Sequence, residues 1–193
     1  RRQATGGVMG GVDVGGELAG GGVLLAGGLG GYVTWGVPFA QTGDSWTYRG
    51  PTVGAYATYL RGGLHVDALV KADFLDVDID NAGIVGAGGQ GVAGGGAAST
   101  KARNVSAQLD AGYRFDLRGS VFLEPQASVA WVRTNVGSLA IMGGTVGFDP
   151  MSTVTGRLGI RVGARFETPT VVAVPDIAVS VWQRLAGGPA GAT

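Results

Sequence analysis

Apolar and polar residues alternate without exception over residues 105–118, a pattern typical of a β-strand with one apolar and one polar face. The apolar positions run from Val105 to Leu117, and the small or polar positions run from Ser106 to Arg118. Typical strands contain about 5 or 6 residues, so this run is too long for an ordinary sheet. At about 3.3 Å per residue and a tilt near 40°, it rises roughly 30 Å, the thickness of a bilayer's hydrocarbon core. The pattern therefore predicts a strand that crosses a membrane.

Similar alternation elsewhere in the chain predicts an all-β fold, an antiparallel up-and-down transmembrane β-barrel with about eight strands present. The other predicted strands cover residues 6–17, 23–35, 52–60, 64–74, 121–131, 157–167 and 171–182. The predicted connections are short after the first, third, fifth and seventh strands and long after the second, fourth and sixth. Bacterial outer-membrane barrels have this asymmetry, with short periplasmic turns and long extracellular loops.

The fourth predicted strand changes phase near its end. Over residues 64–74 the even positions are apolar, whereas over residues 75–79 the odd positions are apolar. Asp76, Asp78 and Asp80 then occupy the even positions. We interpret the change as a β-bulge at the membrane rim, beyond which the strand continues into water.

The chain is long enough for one domain, and we predict a single, partial barrel domain over residues 1–193. Residues 82–103 are rich in Gly and Ala with little periodicity, which predicts a long extracellular loop. Residues 186–193 are predicted to be a disordered tail.

Composition excludes several classes of function. The formal net charge is zero, so the electrostatic footprint of a nucleic-acid-binding protein is missing. Cysteine is absent, which removes disulfides and thiolate metal sites, and His65 is the only histidine, which removes multi-histidine metal sites. No run of about 18 apolar residues exists, so no transmembrane helix is predicted.

Two short patterns suggest ligand binding, but neither has the required context. Residues 86–91 form a GxGxxG string that is followed by a strand rather than a helix, so no dinucleotide site is predicted. The alternating Asp76, Asp78 and Asp80 could attract Ca²⁺ weakly, although a solvated acidic face is the simpler interpretation. We predict no catalytic residues, no metal site, no cofactor and no enzymatic activity.

The polar positions of the strands collect charges of both signs. They could line the lumen of a barrel, or they could form the wet outer face of a soluble sheet. We favour the lumen because the strands are long, because the loops are asymmetric, and because Lys, which protects exposed sheet edges, is scarce. The predicted pore-lining residues are Asp67, Lys71, Asp73, Asp110, Arg114, Glu124, Arg157, Arg161 and Arg165.

Aromatic residues near strand ends are typical of the two membrane–water interfaces of such barrels. The predicted interfacial aromatic residues are Trp35, Tyr59, Phe115, Trp131 and Phe166.

With the strands placed, the order of short patterns resembles the translocator (β) domain of bacterial autotransporters. The residues that carry the resemblance lie within residues 6–185 and read VGAYATYLRGGLHVDALVKADFLDVD, VSAQLDAGYRFDL, VFLEPQASVAWVRT, TGRLGIRVGARF and VPDIAVSVWQRL. Each pattern is modest, and their succession in this order is what makes the resemblance specific.

The resemblance implies a twelve-stranded outer-membrane barrel threaded by an N-terminal helix, which carries an attached passenger to the cell surface in type V secretion. It also implies outer-membrane lipid, the passenger and the outer-membrane insertion machinery as partners, with no nucleic acid, and the bacterial outer membrane as location. Because the family would continue for roughly four more strands, the chain resembles a translocator truncated at its C-terminus.

Two other hypotheses remain open from the sequence. The chain could be a complete eight-stranded outer-membrane barrel that acts as a small adhesin or structural protein, with side chains filling its bore. It could also be a soluble lipocalin-like binding barrel, with the apolar positions turned inward around a ligand. A strand count would separate the complete eight-stranded barrel from the translocator, and dependence on detergent would separate both membrane barrels from the soluble one.

Overall fold

The computed structural model describes residues 4–39, 44–81, 96–141 and 144–188. Eight long strands form one antiparallel sheet, in which each strand pairs with the next along the chain. They are β1 (Ala4–Leu18), β2 (Gly22–Phe39), β3 (Asp44–Arg61), β4 (Leu64–Asn81), β5 (Gly96–Tyr113), β6 (Val121–Val136), β7 (Met151–Ala164) and β8 (Asp176–Ala186). The predicted all-β, antiparallel, up-and-down fold is confirmed.

Short elements occupy some of the connections. Phe115–Asp116 pairs with β6 and precedes a single 3₁₀ turn at Arg118–Ser120. Two small antiparallel pairs are Leu139–Ile141 with Gly144–Val146 and Phe166–Glu167 with Val172–Ala173. Within the described ranges, no helix is long and apolar enough to cross a membrane.

The strands are longer than the alternation predicts. β2, β3, β4 and β5 each contain 18 residues, which at the usual rise and tilt span roughly 45 Å, more than a bilayer core requires. The prediction of a loop over residues 96–103 is therefore wrong, because these residues belong to β5. The rest of that predicted loop, residues 82–95, lies outside the described residues, as does most of the predicted tail.

The connections do not alternate strictly in length. Residues 19–21, 62–63, 114–120 and 165–175 connect strands at one end of the sheet, which we call the short-turn end. Residues 40–43, 82–95 and 137–150 connect them at the other, the long-loop end. The connection after β2 is short because both β2 and β3 extend into the segment that the sequence pattern assigned to a loop.

In contrast to a soluble protein, the sheet buries charged side chains on one face and exposes apolar side chains on the other. We call inner the face formed by the odd residues of β1, β2, β4 and β7 and the even residues of β3, β5, β6 and β8. On this face Glu124 is only 2% exposed and Asp73 8%, whereas on the outer face Leu158 is 66% exposed and Val70 55%. The sheet thus curls around its charged side chains and presents its apolar ones outward.

The hydrophobic cluster lies on the inner face at the long-loop end, where we call it the collar. Its buried members are Leu75, Val77, Ile79, Ala102 and Leu139. The hydrophobic side chains that pack against it are Val33, Trp35, Trp46, Tyr48, Ala98, Val136 and Phe148. The inner face is therefore apolar near the long loops and polar below them.

The backbone of β4 contains no bulge at the change of phase, so that prediction is wrong. The pairs Arg49 with Asp76 and Thr52 with Asp73 keep one register with β3, and the register with β5 is unbroken from Leu64 to Asn81. Even residues of β4 face outward along its whole length. What changes is the composition of the two faces: beyond residue 74 the outer face carries Asp and the apolar side chains lie on the inner face, as expected where a strand leaves the bilayer for water.

Candidate functional site

The inner face carries most of the predicted pore-lining residues. Asp67, Lys71 and Asp73 lie on β4, Asp110 on β5, Glu124 on β6, and Arg157 and Arg161 on β7. Arg114 and Arg165 come directly after β5 and β7, at the short-turn end. The structure thus brings together the charges of four neighbouring strands along one face.

Glu124 is the centre of the cluster at the short-turn end. Its Oε2 accepts a hydrogen bond of 2.6 Å from Arg161, and its Oε1 accepts one of 2.6 Å from the side-chain amide of Gln126. The His65 Nε2 lies 4.0 Å from Oε1. Because the carboxylate is almost completely buried, these donors offset the free energy lost when it leaves water.

Phe122 stands beside this carboxylate on the inner face and is 1% exposed. The guanidinium of Arg114 lies 4.0 Å from the centroid of its ring, and that of Arg161 lies 5.5 Å away. Two cations therefore contact one aromatic ring, an arrangement that holds both Arg side chains in place. Sequence reasoning missed Phe122, although an aromatic residue in phase with polar neighbours was a signal.

Gly163 makes the room that the Phe122 ring occupies. It pairs with Phe122 in the register between β6 and β7, and a Cβ placed on Gly163 would lie 2.5 Å from the tip of the ring. Gly112 likewise faces His65, whose ring a Cβ at that position would overlap. The glycines of the inner face thus let large side chains lie flat across neighbouring strands.

The middle of the inner face pairs its charges across strands. Arg157 lies 3.6 Å from Asp110, and its guanidinium lies 5.4 Å from the ring centroid of Trp182. Asp67 stands directly opposite Asp110 in the sheet register and accepts a 2.6 Å hydrogen bond from the Thr58 hydroxyl. The two carboxylates thus each have their own polar partner.

A further polar layer lies just below the collar. Asp73 accepts a 2.6 Å hydrogen bond from the fully buried Thr52 hydroxyl, and the Lys71 ammonium lies 3.0 Å from the same carboxylate. Asn104 faces Asp73 across the sheet, and its buried Oδ1 has no hydrogen-bond partner among the described residues.

The collar itself is rich in aromatic rings. Trp35 and Tyr48 stack with their centroids 4.8 Å apart, and the Trp46 ring lies 6.4 Å from that of Tyr48. Tyr48 belongs to the part of β3 beyond the outer apolar stripe, and burial raises the pKa of its phenol. The inner face at this end is thus apolar and densely packed.

The predicted interfacial aromatic residues divide into three groups. Tyr59 and Trp131 lie on the outer face, and Trp131 donates a 2.9 Å hydrogen bond from its indole to Ser152. Phe115 and Phe166 are exposed at the short-turn end. Trp35 differs from the prediction, because it packs in the collar on the inner face.

In the part of the chain that the structure describes, no group of three or more His, Cys, Asp or Glu side chains could hold a metal ion. The geometry is that of a wall with a lipid-facing exterior and a charged, internally paired interior. It defines a class, the outer-membrane β-barrels, in which strands alternate apolar outward and polar inward.

Within this class the chain belongs to the autotransporter β-domain family, whose model, "Autotransporter beta-domain", matches residues 1–192. The pertactin autotransporter of Bordetella bronchiseptica is 36% identical over 170 residues, which are 86% of this chain and 18% of that protein. The BrkA autotransporter of Bordetella pertussis is 32% identical over 152 residues, 78% of this chain and 14% of that protein. The chain thus spans less than a fifth of the length of these relatives.

A solved structure extends the comparison to the fold. The crystal structure of the β domain of the Bordetella autotransporter BrkA has a TM-score of 0.76 and 28% identity, and it covers 94% of this chain and 73% of that chain. The resemblance seen in the sequence is confirmed, and so are the barrel fold and the outer-membrane location.

Proposed function

We propose that this chain forms part of an outer-membrane wall through which an attached passenger polypeptide is exported to the cell surface. The observation that carries the proposal is the inversion of burial between the faces, with Glu124 2% exposed and Leu158 66% exposed. A soluble lipocalin-like barrel would turn its apolar residues inward, so this inversion argues against that hypothesis. The role is mechanical rather than enzymatic.

The charge pairing of the inner face suits a passage rather than a binding site. Glu124 with Arg161, Asp110 with Arg157 and Asp73 with Lys71 each satisfy one another within the wall. A passing chain therefore meets locally neutralised pairs instead of isolated charges that would bind it. Such a lining would let segments of different charge move past without a strong preference.

The partners that we propose follow from the two faces. Outer-membrane lipid would contact the outer face, where Val53, Val70 and Leu109 are about half exposed. The passenger would contact the inner face. Insertion of a strand-built wall requires every edge to find a partner before it meets lipid, so we include the outer-membrane insertion machinery as a transient partner.

Photo-crosslinking during export tests the proposal. A photoreactive residue is placed at Ser128, on the inner face of β6, or at the adjacent Val129, on its outer face, in the full-length protein. We expect crosslinks to the passenger from position 128 and crosslinks to lipid alone from position 129. Passenger crosslinks from both positions, or from 129 alone, would contradict a passage along the inner face.

A further inference from the structure

The outer apolar stripes of β5 and β6 end in cations at the long-loop end. On β5 the stripe runs from Tyr113 to Val105, and the next two outward residues are Arg103 and Lys101. On β6 the stripe ends at Trp131, and the next outward residue is Arg133. All three cations are exposed. They lie where the lipid-facing surface gives way to water.

The sheet register places these cations close together. Arg103 pairs with Asn135, and Val105 pairs with Arg133, so Arg103 and Arg133 are diagonal neighbours on one face. Diagonal neighbours have Cα atoms about 7–8 Å apart, and Lys101 follows Arg103 on the same face of the same strand. Guanidinium groups at this spacing can converge on one phosphate, with which they form paired, charge-assisted hydrogen bonds.

Among the described residues, neither Arg103, Lys101 nor Arg133 lies within ion-pair distance of an acid, although Asp76 stands opposite Lys101 in the register between β4 and β5. Arg49, on the neighbouring part of the outer face, is paired with Asp78 at 2.7 Å. Arg103 rests on the ring of Phe74, 5.2 Å from its centroid. The aromatic ring positions the guanidinium at the edge of the apolar stripe without neutralising it.

We propose that Arg103 and Arg133, assisted by Lys101, bind the phosphate of a phosphorylated lipid headgroup in the outer leaflet of the outer membrane. The long-loop end of such barrels faces the cell exterior, so the cations lie at the level of the outer headgroups. Phe74 lies beside Arg103 in the sheet register, and Trp131 is the outward residue next to Arg133 on the side of the apolar stripe, a position typical of the interface where acyl chains meet headgroups. Basic residues at this level attract anionic lipid, and this site adds the geometry for one phosphate.

Native mass spectrometry of the full-length protein in detergent tests the site without any substitution. The protein is titrated with lipid A carrying two phosphates, with the same lipid after phosphatase treatment, and with inorganic pyrophosphate. We expect binding of the phosphorylated lipid and at least about tenfold weaker binding of the other two. Equal affinity for the dephosphorylated lipid would overturn the proposal, and so would displacement of the lipid by pyrophosphate at equal concentration.

Substitution then locates the site. We expect R103Q/R133Q to weaken binding of the phosphorylated lipid about tenfold or more, since each removes charge-assisted hydrogen bonds. The matched control is R61Q, because Arg61 is also an exposed cation of the outer face. It ends β3 at the short-turn end, opposite to the end that carries Arg103 and Arg133. Heat-modifiable migration in gels checks that each variant is folded. Unchanged binding in the folded double variant, or an equal loss in R61Q, would refute the assignment.

Discussion

Glu124 lies at a point of the inner face where several interactions converge. Its carboxylate is nearly inaccessible to water and accepts hydrogen bonds from Arg161 and Gln126, and the Arg161 guanidinium also lies 5.5 Å from the centroid of the Phe122 ring. Removing one partner of a buried pair leaves the other charge uncompensated, which costs more than the pair itself contributes.

We therefore expect R161A, which leaves the buried Glu124 carboxylate without its cation, to lower the free energy of unfolding by about 3 kcal/mol, as does breaking other buried pairs. The measurement is urea unfolding in lipid vesicles, followed by tryptophan fluorescence. The double variant E124A/R161A should be destabilised by less than the sum of the single variants, because no buried charge remains unpaired. Additive effects would show that the 2.6 Å contact carries no coupling.

A second prediction at the residue scale concerns the close contact between Gly163 and the Phe122 ring. In G163A the added Cβ would lie 2.5 Å from the ring of Phe122 and 2.8 Å from the Pro175 carbonyl oxygen, so we expect a loss of about 1–3 kcal/mol. The control is G10A, because nothing lies within 4 Å of a Cβ at Gly10. Urea unfolding of both variants, and of G163A/F122L, provides the comparison. Partial recovery in G163A/F122L is expected, and equal stability of G163A and G10A would contradict the steric explanation.

At the scale of the element, β4 shows how one continuous strand can pass from lipid into water. Its even residues face outward throughout, first as Val66 and Val70 and later as Asp76 and Asp78. Its odd residues face inward, first as Asp67 and Asp73 and later as the buried members of the collar. The strand therefore needs no break in its register to pass from lipid into water.

This interpretation predicts effects of very different size on stability for adjacent substitutions. V77D would bury an unpaired carboxylate, since Val77 is 2% exposed, and should cost about 3 kcal/mol or more. D78V lies on the outer face and loses only the exposed pair with Arg49, which is worth about 0–1 kcal/mol. Unfolding in vesicles compares the two variants. A bulge that reversed the faces would reverse the order of these effects.

The strands and their faces could be predicted from the sequence because side chains alternate with a period of two wherever one face meets lipid. The strand ends could not, because β5 begins in a Gly/Ala-rich segment whose strand is defined by backbone pairing with β4 rather than by side chains. The alternation also placed Asp67, Asp110, Glu124 and Arg157 on one face together, while their lining of a pore stays a prediction. Phe122 and the collar were not, because an aromatic or apolar residue facing inward contradicts the pattern that identifies the lumen.

At the scale of the whole molecule, the two edges of the sheet decide what kind of wall the chain forms. β1 and β8 each pair with a single strand among the described residues. Their outward residues are the most exposed of the sheet, with Val12 at 80% and Ile177 at 76%. Backbone groups at a free edge cannot remain unpaired in hydrocarbon, so both edges must be paired in the membrane, either with each other or with further strands.

Crosslinking distinguishes these two ways of closing the wall. The chain has no native cysteine, so a single introduced pair can be assigned without ambiguity. V12C/G28C is the positive control, because Val12 and Gly28 are register partners on β1 and β2, and such partners have Cα atoms about 4.5–5.5 Å apart. We expect a short thiol crosslinker to join this pair, but not V12C/V179C, in the full-length protein in its native membrane.

The reason for that expectation is the extent of the structural match. The alignment uses 94% of this chain but 73% of the chain of the BrkA β domain, so part of that chain has no counterpart in the eight strands, and we expect it to include further strands of the wall. Strands equivalent to that part would separate β1 from β8 by more than the reach of the reagent. Efficient crosslinking of V12C/V179C would instead mean that β1 pairs directly with β8, as in a complete eight-stranded barrel. Its bore would then be filled by side chains, and an extended passenger could not pass through it.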